Sequence, residues 1–243
     1  MGSDTAISLN TREYSYYLPL FIYPKNNIGG NSINFKQNDQ EYASPNINAN
    51  FISKFSLKLG LEFIPQGNGD LKENFGPEDI FNYIYAITYS PTYRVLYLEL
   101  LKIDFPRIPI TGNIKLFQKL CNMGRELIDL HLLESSTVTK FITTFPIPGD
   151  HRVEKGHPVY KEIKNKVGRI YINQTQYFEG IPEDIWTFHI GGYQVLERWL
   201  KDRRECQLTY EDLTHYQKIV VALNETIRIM KEIDKAIPEW PIK

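Results

Sequence analysis

Residues 186–204, WTFHIGGYQVLERWLKDRR, decide how this chain is read. The stretch starts as a strand, since Ile185, Trp186, Phe188 and Ile190 suit a pleated, buried surface. Gly191 and Gly192 then permit a sharp turn, or the close approach of another chain. An amphipathic helix follows. Tyr193, Leu196, Trp199 and Leu200 recur at helical spacing, while Glu197, Lys201, Asp202 and Arg204 face away. Arg203 and Arg204 suit the negative pole at the end of that helix.

Downstream, Thr209 and Asp212 form a capping-box-like start to a long final helix. Leu213, Tyr216, Val220, Leu223, Ile227 and Met230 mark its apolar face, with Lys218, Glu225, Arg228, Glu232 and Lys235 opposite. Six apolar positions are few for a dimerising coiled coil, so an intramolecular bundle helix is the expectation. Trp240, between Pro238 and Pro241, is expected to anchor the tail.

Upstream, the hydrophobic period changes at Thr137. Phe141, Thr143 and Phe145 alternate as in a strand ended by Pro146 and Pro148. Strands follow at residues 159–163 and 169–173, with a turn near residues 165–168, and at 177–178 and 185–190. Before this sheet, residues 113–133 read as a helix with Leu116, Leu120, Leu127 and Leu130 on one face. His131 reads as a satisfied, partly buried histidine, because no metal partner stands one turn away. Gly76-Pro77-Glu78-Asp79 opens another helix, with proline first and acids at the positive pole. Ser90-Pro91 ends it and restarts a second helix running to about Lys102. Arg107, held between prolines, could clamp a carboxylate or helix end or reach a phosphate. Residues 14–23 read as a strand, 25–50 as a long mobile loop rich in Asn and Gly, and 47–59 as a short helix. The fold class expected is α+β: a helical bundle with an inserted small, mainly antiparallel sheet over residues 137–190, all in one domain spanning 1–243.

Composition narrows the function. The net charge of −1 over 243 residues provides no global field toward a polyanion, so any nucleic-acid contact needs a local patch. The 16 tyrosines fit either a Tyr-rich core or an interaction surface. Two distant cysteines, Cys121 and Cys206, suit neither a zinc site nor a disulfide framework. No apolar run approaches a membrane span and no signal peptide is visible, so a cytoplasmic fragment without a membrane partner is expected. Met1-Gly2-Ser3 reads as an added start rather than a natural one.

The positive charge concentrates in the sheet. Arg152, Lys155, Lys161, Lys164, Lys166 and Arg169 stand against only Glu154 and Glu162, with Tyr160 and Tyr171 interleaved. Such a hairpin can track phosphates and enter a groove. The same lysines could instead protect a solvated strand edge.

The stretches IGGYQVLERWLKDRR, LTYEDLTHYQKIVVALNETIRIMKEID, YIYAITYSPTYRVLYLELLKIDFPRIP and LIDLHLLES together resemble the C-terminal target-recognition domain of type ISP restriction–modification enzymes. The resemblance runs from about Pro77 to Asp234. It implies recognition of double-stranded DNA, with an upstream methyltransferase domain of the parent chain as partner, and tips the basic hairpin toward DNA. Adenine-specific methyltransferases hold their target base with a D/N/S-P-P-Y-type motif. Ser90-Pro91-Thr92-Tyr93 misses it and lies between helical patterns, so it reads as a helix cap. No nucleophile elbow, phosphate-binding loop or metalloprotease motif occurs. The chain is therefore expected to be non-catalytic by itself, with no cofactor of its own. The alternative function is a docking module that couples a methyltransferase to a motor domain.

Overall fold

A computed structural model describes residues 4–7, 14–23 and 43–242. The chain divides into two compact units, residues 1–125 with 233–243, and residues 126–232.

In the first unit, β1 (Asp4–Ile7) pairs antiparallel with β2 (Tyr14–Tyr17), and β3 (Phe21–Ile22) pairs antiparallel with β4 (Ser44–Pro45). The single strand expected over residues 14–23 is thus two. At the break the chain bonds elsewhere: the Asn46 side chain donates to the Pro19 carbonyl and the Asn46 amide to that of Leu20. Most of the expected loop 25–50 lies outside the described residues, but its end is ordered as β4 and the start of α1 (Ala49–Leu59). Asn48 caps α1 by accepting from the Asn50 and Phe51 amides, and Gly60 closes it in the left-handed conformation.

β5 (Glu62–Phe63) and β6 (Asn74–Phe75) pair in parallel, and α2 (Pro77–Tyr89) follows. Asp79, buried in the first turn, accepts from the Gly69 and Gly76 amides. Ser90 caps α3 (Pro91–Leu96): its hydroxyl accepts from the Tyr93 amide at 3.0 Å and donates to Asp234. The cap reading of Ser90-Pro91-Thr92-Tyr93 therefore holds, and Tyr93 is buried with its hydroxyl donating to the Arg107 carbonyl. The helix expected to continue to Lys102 breaks at Tyr97, outside helical geometry, before α4 (Leu98–Leu101). Phe55, Phe75, Tyr83 and Phe117 interlock edge-to-face and tilted at the centre of this unit. Trp240 packs on Tyr93 and Tyr97, the tail anchor expected.

α5 (Ile114–His131) buries the leucine face read from its spacing. His131 meets the Thr226 hydroxyl at 2.9 Å, as a satisfied histidine should. The expected strand at Phe141–Phe145 does not form. Residues Ser136–Thr139 make a 3-10 turn, and Thr144 makes one isolated bridge to Glu179. Pro146 and Pro148 lack the amides that would extend it.

The sheet of the second unit is β7 (Val159–Lys164), β8 (Val167–Tyr171) and β9 (Tyr177–Pro182), antiparallel in that order. The expected strand at residues 185–190 is instead a helical turn, α6 (Glu183–Trp186), then β10 (His189–Ile190). Pro182 precedes acids that favour a helix start, and only Ile185 of that turn is buried. Gly191 and Gly192 do not pass the strand into a helix at Tyr193. They form a hairpin turn into β11 (Tyr193–Gln194), and α7 (Val195–Lys201) starts afterwards. α8 (Tyr210–Ala236) opens with the expected box, Thr209 accepting from the Asp212 amide and Asp212 from that of Thr209. Its buried stripe begins at Leu213, Tyr216, Val220 and Leu223 and then moves to another face of the helix at Thr226, Ile229 and Ile233. Ile170, Ile172, Phe178, Ile181, Leu196, Leu200 and this first stretch of α8 share one core. The described residues form helices and small, mainly antiparallel sheets, and the α+β class expected is the one seen.

Candidate nucleic-acid interface

The pleat of the three-stranded sheet separates its side chains into two sets. The inner set, Tyr160, Ile170, Ile172, Phe178 and Ile181, joins the core of the second unit. Across the strands, Lys161 stands opposite Arg169, and Arg169 opposite Glu179. Tyr171 stands opposite Tyr177.

These outward side chains form a ladder of cations and rings. Lys161 Nζ lies 4.7 Å from the Tyr171 ring centroid, and the rings of Tyr171 and Tyr177 are 5.0 Å apart. The Arg169 guanidinium lies 4.3 Å over Tyr177, and its Nε donates to Glu179 at 2.8 Å. This hydrogen bond raises the Arg169 pKa further, so the guanidinium keeps its charge. Such rings and planar cations offer faces for stacking and donors for phosphate oxygens.

The strands turn at Asn165 and Lys166, both with positive φ, 52° and 60°. That is the pattern of a type I′ hairpin turn, and it places Lys164 at the end of β7 and Lys166 in the turn itself. The two lysines therefore do not share a strand face. Both are exposed at the tip, beside exposed Ile163. The Lys166 amide is held by Glu162 at 2.9 Å, and its carbonyl accepts from the Glu183 amide at 2.8 Å.

Not every residue of the expected set lies on this face or at the tip. Tyr160 faces inward, stacks on Trp186 with ring planes 9° apart, and donates to the Ile181 carbonyl. Burial, then the nearby Glu183, Glu162 and Asp184, raises its pKa. Gly168 accommodates it, because a Cβ there would sit 2.6 Å from the Tyr160 ring. Arg152 and Lys155 are exposed but lie in the loop before β7, at the end of the sheet away from the Asn165–Lys166 turn. With about 3.3 Å per strand residue, β7 sets them roughly 15–20 Å from the tip. Arg152 bridges to Gln207, and its carbonyl accepts from buried Asn173. The structure thus gathers Lys161, Arg169 and Tyr171 on one face and Lys164 and Lys166 at the tip. Arg152 and Lys155 stand apart, and Tyr160 belongs to the core.

Two members of the ladder, Tyr177 and Glu179, escaped the reading of the sequence. Their spacing of two on a strand was the available signal. It became usable only once the register placed them opposite Tyr171 and Arg169.

The arginines in and just after α7 are engaged. The Arg203 guanidinium lies 3.6 Å from the Trp199 ring centroid and near Asp212, Arg204 donates to the His157 carbonyl, and Arg198 pairs with Asp202. Arg107 is exposed and 3.5 Å from Asp104. Among the described residues no group of acids, histidines and cysteines could hold a metal, and no helix is long and apolar enough to cross a membrane.

The type ISP C-terminal specificity domain model matches residues 3–232. No curated protein matches the chain. Among solved structures, the ATP-dependent type ISP restriction–modification enzyme LlaBIII bound to DNA is similar at a TM-score of 0.63 and 20% identity, over 96% of this chain and 14% of that one. The DrdV–DNA complex is similar at 0.56 and 20%, over 78% and 20%. A nuclease-deletion mutant of the type ISP enzyme LlaGI with a DNA substrate mimic follows at 0.51 and 24%, over 71% and 17%. At these identities the likeness is one of fold, and the chain spans a fifth or less of each of those proteins. With the family model covering nearly its whole length, this chain belongs to the type ISP C-terminal specificity domain family.

Proposed function

We propose that this domain recognises a double-stranded DNA target for a type ISP restriction–modification enzyme, and that the β7–β8–β9 sheet is its main contact surface. The carrying observation is the outward ladder of Lys161, Tyr171, Tyr177 and Arg169 beside the lysines of the tip. Edge protection would account for lysines on β7, the outer strand of this sheet. It does not account for two tyrosines packed against each other, ring planes tilted by 52°, on the outward face between cations. The Asn165–Lys166 turn, at one end of the three paired strands, would approach the duplex. Lys164 and Lys166 would then hold phosphates at the tip, and Lys161 and Arg169 would act along the face. Arg152 and Lys155 would touch the backbone farther along the duplex.

In this reading the domain is non-catalytic and needs no cofactor of its own. Adenine methylation belongs to a methyltransferase domain elsewhere in the parent chain, and that domain is its partner. The test is binding of the parent enzyme, or of this domain joined to its methyltransferase, to a cognate duplex across a salt series. Changing Lys164 and Lys166 together to Ala should reduce the salt slope by about two, one for each lost phosphate contact. An unchanged affinity with an unchanged slope would reduce the tip to a solvated edge.

A further inference from the structure

α3, α4 and the loop after them expose what a protein normally hides. Val95, Leu96, Leu98, Leu100, Ile103 and Phe105 are all exposed within eleven residues, Val95 at 75% and Ile103 at 81%. Single exposed apolar side chains are ordinary, but such a run marks an interaction site. The segment is nevertheless fixed. Tyr93 is buried against Tyr97 and Trp240, and Asp234 accepts from the Thr92 amide and hydroxyl at the start of α3.

The charges between these side chains cancel. Lys102 pairs with Glu99 at 2.7 Å, and Arg107 stands 3.5 Å from Asp104. A surface of this kind has little attraction for a polyanion and complements another apolar protein face. The similar solved chains are several times longer than this one, which spans 14–20% of them. A specificity domain in such a protein therefore has a large body of its own polypeptide beside it.

We infer that the exposed apolar face of α3, α4 and the loop to Phe105 packs against the polypeptide that precedes the specificity domain in the parent enzyme. The occupant is an apolar patch without net charge on that polypeptide. The inference rests on family membership and on this face, and is separate from the DNA contacts of the sheet.

Thiol accessibility tests it. Ile103→Cys is introduced with Cys206→Ser, because Cys206 is exposed and Cys121 buried. Maleimide labelling at position 103 is followed by peptide mass spectrometry in the parent enzyme and in the isolated 243-residue chain. Labelling is expected to be at least tenfold slower in the parent, with the isolated chain reacting as a free thiol does. Equal rates in the two overturn the proposal. Slow labelling of the isolated chain overturns it too: at every concentration it would mean that the chain covers this face itself, and only at high concentration that a second copy does. DNA binding by the same labelled parent is measured separately, so failure of the hairpin prediction leaves this result readable.

Discussion

The Tyr160 ring stacks on the Trp186 indole, centroids 5.5 Å apart, and its hydroxyl donates to the Ile181 carbonyl at 3.2 Å. The pair ties β7 to the helical turn that follows β9. Tyr160→Ala should destabilise the domain by about 2–3 kcal/mol through lost packing. Tyr160→Phe should cost only about 1 kcal/mol, for one hydrogen bond. Denaturant unfolding measures both. If Tyr160→Phe kept its stability yet lost DNA affinity, the residue would return to the interface.

Gly191 and Gly192 are not equivalent. Only Gly191 has a positive φ, 59°, and neither position has an atom within 4 Å of an added Cβ. A positive φ at the first turn residue is the type II′ pattern. Gly191→Val should therefore lower stability by about 1–3 kcal/mol, because a β-branched residue is strained there. Gly192→Val should melt within a degree or two of the wild type. Equal losses at both positions would show that the turn packs against something.

Asp79 accepts from the Gly69 amide at 2.6 Å and the Gly76 amide at 2.9 Å, and lies 3.6 Å from Arg125. Burial nevertheless raises its pKa above 3.8, opposed by those amides and by Arg125. A carboxyl with a raised folded pKa holds its proton more tightly in the fold than in the unfolded chain. The stability this contributes is full below the unfolded value and is lost as pH rises through the folded one. Asp79→Asn removes the dependence, so the variant should gain on the wild type as pH climbs from about 3.8 towards neutrality. Asp79→Ala should cost about 2–4 kcal/mol throughout, with two amides left unpaired. Urea unfolding at several pH values separates the variants. A wild-type-minus-Asn difference that does not change with pH would refute the raised pKa.

Gln176 fixes the loop that carries His151 and Arg152. Buried at 1% exposure, it donates to the Ile147 carbonyl at 3.1 Å and accepts from the His151 amide and the Asn173 side chain at 2.9 Å each. Gln176→Leu should cost about 2–4 kcal/mol and speed hydrogen exchange at the His151 amide. Gly149→Ala should disturb the same contacts, since its Cβ would lie 2.6 Å from the Gln176 amide nitrogen. Unchanged exchange at His151 in Gln176→Leu would show that the loop holds its shape without the network.

The chain's helices were largely legible because their signals are local. Ser90 and Thr209 lie within three residues of the amides they cap, and the leucines of α5 repeat every turn. The positive segment over residues 152–169 was legible by composition. Alternation also showed that strand side chains fall into two sets, but not which set meets the core. Packing against Trp186 and Ile181 turned Tyr160 inward, and that left Lys161 outward against Tyr171. Tyr177 and Glu179 entered the site through cross-strand register, which no window of sequence contains. The alternation at Phe141–Phe145 failed for the related reason that a strand needs a ladder partner, and here only Thr144 finds one. Caps and helical periods thus come from interactions between neighbours along the chain. The choice of face is a burial energy summed over residues far apart in sequence, and only the tertiary structure brings those residues together.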